Sequence, residues 1–168
     1  GRIDMILVKS NSADGAQMNW VAVEVQAVYF SGKKMSIEFD HLKLTQGKLS
    51  MAQEKRRPDY RSSGVKRLMP QLLTKVPTLR RWGKKMAVVV DAPFFYSMGK
   101  MERVPHLSNA DIVWFLVDFK QAAPGAPFQL EVVEEFYTTL ESATLGLTGG
   151  VPVSQGEFEA RITAKAQK

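Results

Sequence analysis

Cysteine is absent from this chain, and histidine occurs only twice, as His41 and His106. The absence of cysteine excludes disulfides and every thiolate metal site within these residues. Two histidines are also too few for a histidine-rich zinc site. Any metal ion would therefore have to be held by oxygen ligands.

Long apolar runs are missing as well. No uninterrupted run reaches the about 18 residues that indicate a transmembrane helix, and no charged-then-apolar leader opens the sequence. We therefore expect a cytoplasmic protein without a membrane span. The chain of 168 residues is 45% hydrophobic and 24% charged, which suffices for one globular core, and we predict a single domain over residues 1–168.

Acidic residues are scarce in one part of the chain, residues 48–85, which we call the basic segment. It carries twelve Lys and Arg against Glu54 and Asp59, a balance of +10, whereas the whole chain has a net charge of +6. Such a segment is typical of proteins that bind phosphate backbones, because counterion release drives association. A solvated basic helix face explains the same composition. Both interpretations stay open.

Apolar, β-branched runs predict the strands of a sheet. Residues 2–9 and 20–30 form two such runs, joined by the turn-rich SNSADGAQMN, which suits a β-hairpin. The run KKMAVVVDA has the pattern of a strand buried on both faces, and ADIVWFLVDFK and PFQLEVVEEFYTTL predict two more strands. The segment GKKMSIEFDHLKL predicts a loop with a short strand or a turn of helix.

Helical spacing appears between residues 62 and 82, where an apolar side chain recurs every four residues from Leu68. Pro70 is expected in the first turn or at a kink, and Pro77 is expected to begin a second short helix. The tail is predicted to be helical, with Ser154 and Glu157 forming a capping box. The order β-β-α-β-β-β-α predicts an α/β or α+β fold with a mixed central sheet flanked by helices.

Two carboxylates stand in otherwise apolar strands. Asp4 interrupts RIDMILV, and Glu24 shares one face of its strand with Gln26 in WVAVEVQAVYF. The polar side of a half-exposed strand would explain Glu24 and Gln26. Alternatively, two oxygen acids on adjacent strands could hold Mg²⁺ and assist attack on a phosphate. Beside the basic segment, such a pair indicates a nuclease.

A longer likeness joins these features. Asp4, followed some twenty residues later by Glu24-x-Gln26, resembles the PD-(D/E)xK nuclease core in the variant where Gln replaces the usual Lys. The blocks DYRSSGVKRLMPQLLTK and WGKKMAVVVD are similar to the NotI-type restriction endonucleases, with the likeness running over about residues 2–95. The resemblance implies a PD-(D/E)xK restriction-endonuclease-like core and a DNA endonuclease that uses Mg²⁺, or alternatively Mn²⁺, in restriction or phage defence.

The resemblance also implies residue roles. Asp4 and Glu24 would ligate the metal, the carbonyl oxygen of Val25 would add a ligand, and Gln26 would take the place of the usual lysine. A glutamine has neither positive charge nor a basic group at neutral pH, so its expected role is to orient the attacking water. The catalytic set expected from the resemblance is therefore Asp4, Glu24 and Gln26.

The family's first helix and first strand have no counterpart ahead of Asp4 in this sequence. We therefore expect a fragment, with the sheet completed either by a missing N-terminal segment or by another protein chain that covers its edge. A homodimer is a further expectation, because cutting both strands of DNA usually requires two active sites.

Candidates for nucleic-acid contact cluster where the first helix begins. The cations there are Arg61, Lys66 and Arg67, and the hydroxyls of Ser62 and Ser63 lie beside free backbone amides that could receive a phosphate. The alternative is again a solvated basic face.

Three functions stay open at this point. The first is the metal-dependent DNA endonuclease. The second is a catalytically inactive nuclease-fold subunit that binds DNA or RNA in a larger defence complex, which the missing start of the fold favours. The third is an interaction domain without a nucleic-acid role, which the uneven charge disfavours.

Overall fold

A computed structural model describes residues 2–9, 18–46, 51–124, 126–149 and 153–166. The strands are Met5–Val8 (β1), Trp20–Gln26 (β2), Tyr29–Phe30 (β3), Pro58–Asp59 (β4), Met86–Asp91 (β5), Ile112–Gln121 (β6) and Phe128–Thr138 (β7). The α-helices are Ser36–Leu44 (α1), Met69–Arg81 (α2), Ala92–Tyr96 (α3), Leu140–Leu147 (α4) and Gln155–Ala166 (α5). A π-helix, Ser62–Leu68, precedes α2, and a 3₁₀ turn spans Leu107–Asn109.

Five strands form one mixed sheet in the order β1-β2-β5-β6-β7. The outer pairs, β1 with β2 and β6 with β7, are antiparallel, whereas β5 lies parallel to both of its neighbours. The pairing of β1 with β2 is the one that the sequence predicts, although most of the predicted turn, residues 10–17, lies outside the described residues. The predicted mixed α/β fold with flanking helices is confirmed.

The core lies between one face of the sheet and helices α2, α3 and α4. Strand β5 contributes Met86, Val88 and Val90, all at most 1% exposed, and Trp114 of β6 is fully buried beside them. The helices add further apolar side chains to the same cluster: Leu72, Val76, Leu79, Phe94, Phe95, Leu140, Ala143 and Leu147. This face of the sheet also carries Glu24, so the carboxylate points into the covered side of the molecule.

Helix α2 is continuous through Pro77, which corrects the prediction of a second helix beginning there. Leu72, Val76 and Leu79 pack into the core on both sides of the proline, and this contact outweighs the lost backbone hydrogen bond. Pro70 occupies the first turn, as predicted.

Helix α1 differs from the sequence prediction, whereas the start of α5 agrees with it. The region expected to be a loop with a turn of helix forms the full helix α1, where Glu38 is buried and paired with Arg56 at 2.7 Å. At the tail, the amide of Glu157 donates to Ser154 Oγ and the amide of Ser154 donates to Glu157 Oε2, so the predicted capping box is confirmed. Within the described residues, every helix is too short or too polar to cross a bilayer.

Candidate active site

Helix α2 runs back over β2 in the direction opposite to the strand. Trp82, just after α2, makes an edge contact with Trp20 at the start of β2, with ring centroids 6.3 Å apart. At the other end, Ser63 of the π-helix accepts a hydrogen bond from the amide of Tyr29, just beyond β2, at 2.7 Å. The middle of α2 therefore lies over the middle of β2, where Glu24 is located.

Asp4 and Glu24 come from neighbouring strands, as the sequence predicts. Met5 pairs with Val23 in the antiparallel ladder, and the same register continued by one residue brings Asp4 opposite Glu24. The Asp4 side chain is exposed, and its Oδ2 accepts a hydrogen bond from the amide of Val25 at 3.0 Å. This contact holds the first carboxylate beside the backbone that follows the second.

Glu24 is buried and paired with a lysine. The residue is 1% exposed, and its Oε2 lies 2.6 Å from Nζ of Lys75 on α2. The same ammonium donates to Oε1 of Gln71, one helical turn earlier, at 2.6 Å. Oε1 of Glu24 is buried and has no hydrogen-bond partner among the described residues. A buried oxygen without a hydrogen-bond partner lowers the stability of the protein. A further donor or a cation beside Oε1 would therefore be stabilising.

Gln26 faces the same side as Glu24, at the point where β2 ends. Its Nε2 donates to the carbonyl of Ala27 at 2.6 Å, which holds the side chain against its own backbone. The carbonyl oxygen of the amide is then the part that can accept a hydrogen bond from water. Val25 points its half-exposed side chain to the opposite face, so its backbone is what it could contribute beside Glu24.

The three predicted phosphate-binding cations are exposed. Arg61, Lys66 and Arg67 all lie on the surface around the π-helix. The guanidinium of Arg67 lies over the ring of Tyr29, with Cζ 4.3 Å from the ring centroid. Tyr29 follows β2 by three residues, so the basic surface adjoins the carboxyl end of the strand that carries Glu24.

The two predicted serines have internal partners. Ser63 is fully buried, and its hydroxyl donates to the carbonyl of Asp59 at 2.8 Å while accepting the amide of Tyr29. The amide of Ser62 donates to Oδ1 of Asp59 at 2.9 Å. The Ser63 hydroxyl and the Ser62 amide are therefore both engaged with Asp59 or Tyr29 within the protein. Their contact with a phosphate stays a prediction.

Other cations of the basic segment also have partners. Arg56 is held by Glu38, and Nη2 of Arg80 lies 2.5 Å from Oδ2 of Asp111 at the far end of α2. The basic surface that can meet a ligand is therefore narrower than the composition suggests. The exposed cations Arg61, Lys66 and Arg67 around the π-helix belong to it.

The donor set around Glu24 suits a hard cation. Asp4 and Glu24 offer carboxylate oxygens, and Mg²⁺ prefers oxygen ligands while retaining several waters. Among the residues that the structure describes, no three His, Asp or Glu side chains come close enough to hold an ion together. Backbone carbonyls and water would complete the coordination. The unpartnered Oε1 of Glu24 is the observation that fits such an ion.

A further carboxylate lies at the carboxyl end of β5. Asp91 and Asp118 line a cavity of about 320 Å³ together with Ala27 and Val28, which follow β2. Burial raises the pKa of Asp91, and the charge of Asp118 raises it further. Oδ1 of Asp91 is another buried oxygen without a partner in the described part of the chain. The end of β2 is thus bordered by acidic as well as basic groups.

A comparison with protein families identifies the family of this chain. The family model for the restriction endonuclease NotI matches residues 1–130 of this chain. The chain belongs to the NotI restriction endonuclease family. Comparisons with curated proteins and with solved structures give no match.

Membership of the NotI family indicates a DNA-cleaving hydrolase, and restriction endonucleases generally use divalent metal ions. The matched residues contain β1, β2, the π-helix, α2, β5 and β6, and therefore every candidate residue described above. Helices α4 and α5 lie beyond the match, although α4 packs on the same core.

Lys75 is a charged residue beside Glu24 to which the sequence patterns assigned no role. Lys75 lies between Leu72 and Val76, within the stripe of α2 that faces the sheet. A lone lysine in an apolar stripe is a recognisable signal, because a buried ammonium needs an acidic partner. The sequence does not show that the partner is Glu24, which is 51 residues away.

Proposed function

We propose that this protein is a Mg²⁺-dependent DNA endonuclease that hydrolyses phosphodiester bonds in restriction or defence against phage, with Mn²⁺ as an alternative metal. The observation that carries the proposal is the position of Asp4 beside Glu24, with the unpartnered Oε1 of Glu24 on the covered face of the sheet. On this proposal, Asp4, Glu24 and Gln26 would form a PD-(D/E)xK site in its Glu-x-Gln form.

Hydrolysis joins a water oxygen to phosphorus and breaks one bond between phosphorus and a sugar oxygen, which takes up the proton. Asp4, Glu24 and the Val25 carbonyl would hold the metal ion, which supplies Lewis-acid stabilisation of the charge that grows on the phosphate. The amide oxygen of Gln26 would accept a hydrogen bond from the attacking water and orient it. Burial of Glu24 keeps bulk water away from its carboxylate and strengthens its electrostatic interactions.

The exposed cations around the π-helix support DNA as the ligand. Arg61, Lys66 and Arg67 adjoin the end of β2, so a phosphate backbone held there would pass the carboxylate pair. Their contacts would fix the position of the duplex without reading its sequence.

Plasmid cleavage with Mg²⁺ and with EDTA tests this function. We expect wild-type protein to cut only with the metal, and Glu24→Gln and Asp4→Asn each to lower the rate by about 100-fold or more. Glu38→Gln is the matched control, because Glu38 is also a buried carboxylate with a cationic partner but lies on α1. Equal cleavage by wild type and Glu24→Gln would sink the site assignment.

The second candidate is a catalytically inactive nuclease-fold subunit. The specific observation in its favour is that Lys75 is already paired with Glu24 and that, among the described residues, no group of three acids or histidines could hold a metal ion together. Such a subunit would bind DNA in a salt-sensitive way, equally well in wild type and Glu24→Gln, and no metal would induce cutting. Metal-dependent turnover by purified wild-type protein excludes it.

A further inference from the structure

A row of polar side chains along the π-helix and α2 leads from the basic surface to the buried acid. Arg67, Gln71 and Lys75 follow one another at four-residue intervals, and they pass from exposed through half-buried to buried. The Lys75 ammonium contacts Gln71 and Glu24 at 2.6 Å each. These two contacts fix the position of the ammonium from two sides.

Structural stability alone does not explain this pair. Burying two charges costs desolvation that their attraction does not reliably recover, and a hydrophobic pair of similar volume is often as stable or more so. The side chains of Lys75 and Glu24 are 6% and 1% exposed, so the desolvation is nearly complete. A buried pair of this cost, with one oxygen of the acid lacking a partner among the described residues, points to a role in binding or chemistry.

The position of the charge gives that role. Gln26 lies on the same face as Glu24 and carries no charge, so the Glu-x-Gln segment of β2 provides no cation for a phosphate. Lys75 brings a positive charge to Glu24 from α2, the helix that covers this face of the sheet. A compact ammonium held by two acceptors retains a third N–H that can donate to a further oxygen.

We infer that Lys75 is a functional member of this site: it positions the Glu24 carboxylate and supplies the positive charge that Gln26 cannot, by donating its remaining N–H to an oxygen of the reacting phosphate. This role rests on the proposed endonuclease function. It assigns the site to two elements, β2 and α2, and makes Gln71 the residue that orients the ammonium.

Lys75→Met tests the charge, because methionine keeps most of the length of the side chain and removes the ammonium. With folding checked by thermal unfolding, we expect DNA binding in EDTA within about threefold of wild type and cleavage at saturating enzyme lowered about 100-fold or more. Arg80→Met is the matched control on the same helix, since Arg80 is ion-paired with Asp111 away from Glu24. Arg80→Met is expected to cut at the wild-type rate. Wild-type cleavage by folded Lys75→Met would overturn the role.

Two further variants keep the test decisive if Lys75→Met does not fold. Lys75→Arg keeps the charge, but its planar guanidinium cannot reproduce both short contacts, so we expect at least about a tenfold loss of rate with normal DNA binding. Wild-type cleavage by Lys75→Arg would contradict a positioned ammonium. Because the chain has no cysteine, Lys75→Cys provides a single thiol. Its aminoethylation in the unfolded state restores a lysine-like ammonium, and we expect the refolded product to regain cleavage.

The two proposals fail in different ways. If wild type and Arg80→Met both leave DNA intact with every divalent metal, the endonuclease function is wrong, and the role of Lys75 falls with it. If wild type and Arg80→Met cut and folded Lys75→Met cuts equally well, the endonuclease function stands and only the inference about Lys75 is wrong.

Discussion

The hydroxyl of Ser63 joins the π-helix to β3, just beyond β2, because it accepts a hydrogen bond from the amide of Tyr29 at 2.7 Å and donates to the carbonyl of Asp59. Ser63 is fully buried, and Tyr29 in turn supports the guanidinium of Arg67. One side chain thus connects the segment that follows β2 with the surface that carries the cations.

Replacing Ser63 by alanine leaves the Tyr29 amide without its partner. We expect Ser63→Ala to lower the free energy of unfolding by about 1–3 kcal/mol, measured by urea denaturation. Ser97→Ala is the control, since the exposed Ser97 hydroxyl donates to the carbonyl of Phe94, and we expect a change within about 0.5 kcal/mol. Equal losses of unfolding free energy in both variants would show that the Ser63 hydroxyl stabilises the protein no more than an exposed one.

The cations around the π-helix should determine how salt affects DNA binding. Each phosphate contact removed lowers the slope of log affinity against log salt concentration by about 0.9. We therefore expect Lys66→Gln with Arg61→Gln to reduce the slope by about two, measured by fluorescence anisotropy on a short duplex. Lys100→Gln, an exposed change outside the basic segment, should leave the slope unchanged. A slope that is the same in all three proteins would place the DNA elsewhere.

Glu38 should contribute to stability that is lost in acid. The amide of Gln53 and then the guanidinium of Arg56 lower the pKa of Glu38, with the amide of Glu54 adding to them. A carboxyl whose pKa is lowered by folding stabilises the protein above its unfolded pKa, and that contribution disappears as the pH falls through the folded pKa. Between about pH 6 and pH 3, the melting temperature of wild type should therefore fall further than that of Glu38→Gln.

The control for Glu38 is Glu131→Gln, because Glu131 is exposed and its contact with Lys120 is 3.6 Å long. The melting temperature of this variant should fall with pH almost as that of wild type does, since an exposed ion pair contributes little to stability. If the melting temperature of Glu38→Gln falls with pH as that of wild type does, the hydrogen bonds that the Gln53 and Glu54 amides donate to Glu38 do not control the acid response.

The sequence predicted the elements whose patterns are local. The β-branched run at β5 and the capping box at Ser154 state their structure within a few residues, and Asp4 and Glu24 were placed on neighbouring strands because a hairpin needs only a turn between them. The likeness to the NotI family then indicates which of these residues are candidates for the site. Helix α1 is not predicted because residues 32–44 mix charged and apolar side chains without a clear period.

The remaining features depend on contacts between distant residues. Pro77 is tolerated within α2 because packing on the sheet holds the helix on both sides of it. Ser63 is buried because Tyr29 and Asp59 meet it from two different strands. The pairing of Lys75 with Glu24 likewise appears only when α2 lies over β2. No local pattern encodes these distances.

Strand β1 lies at one edge of the sheet, which affects how easily it separates from its neighbour. All four residues of β1 are exposed, and among the described residues β2 is its only partner strand. Such a segment opens at a lower free energy than the core strands, so its amides should exchange hydrogen with solvent long before those of β5. Each opening would carry Asp4 away while Glu24 stays buried, so the proposed pairing of the two carboxylates would be lost and regained without global unfolding.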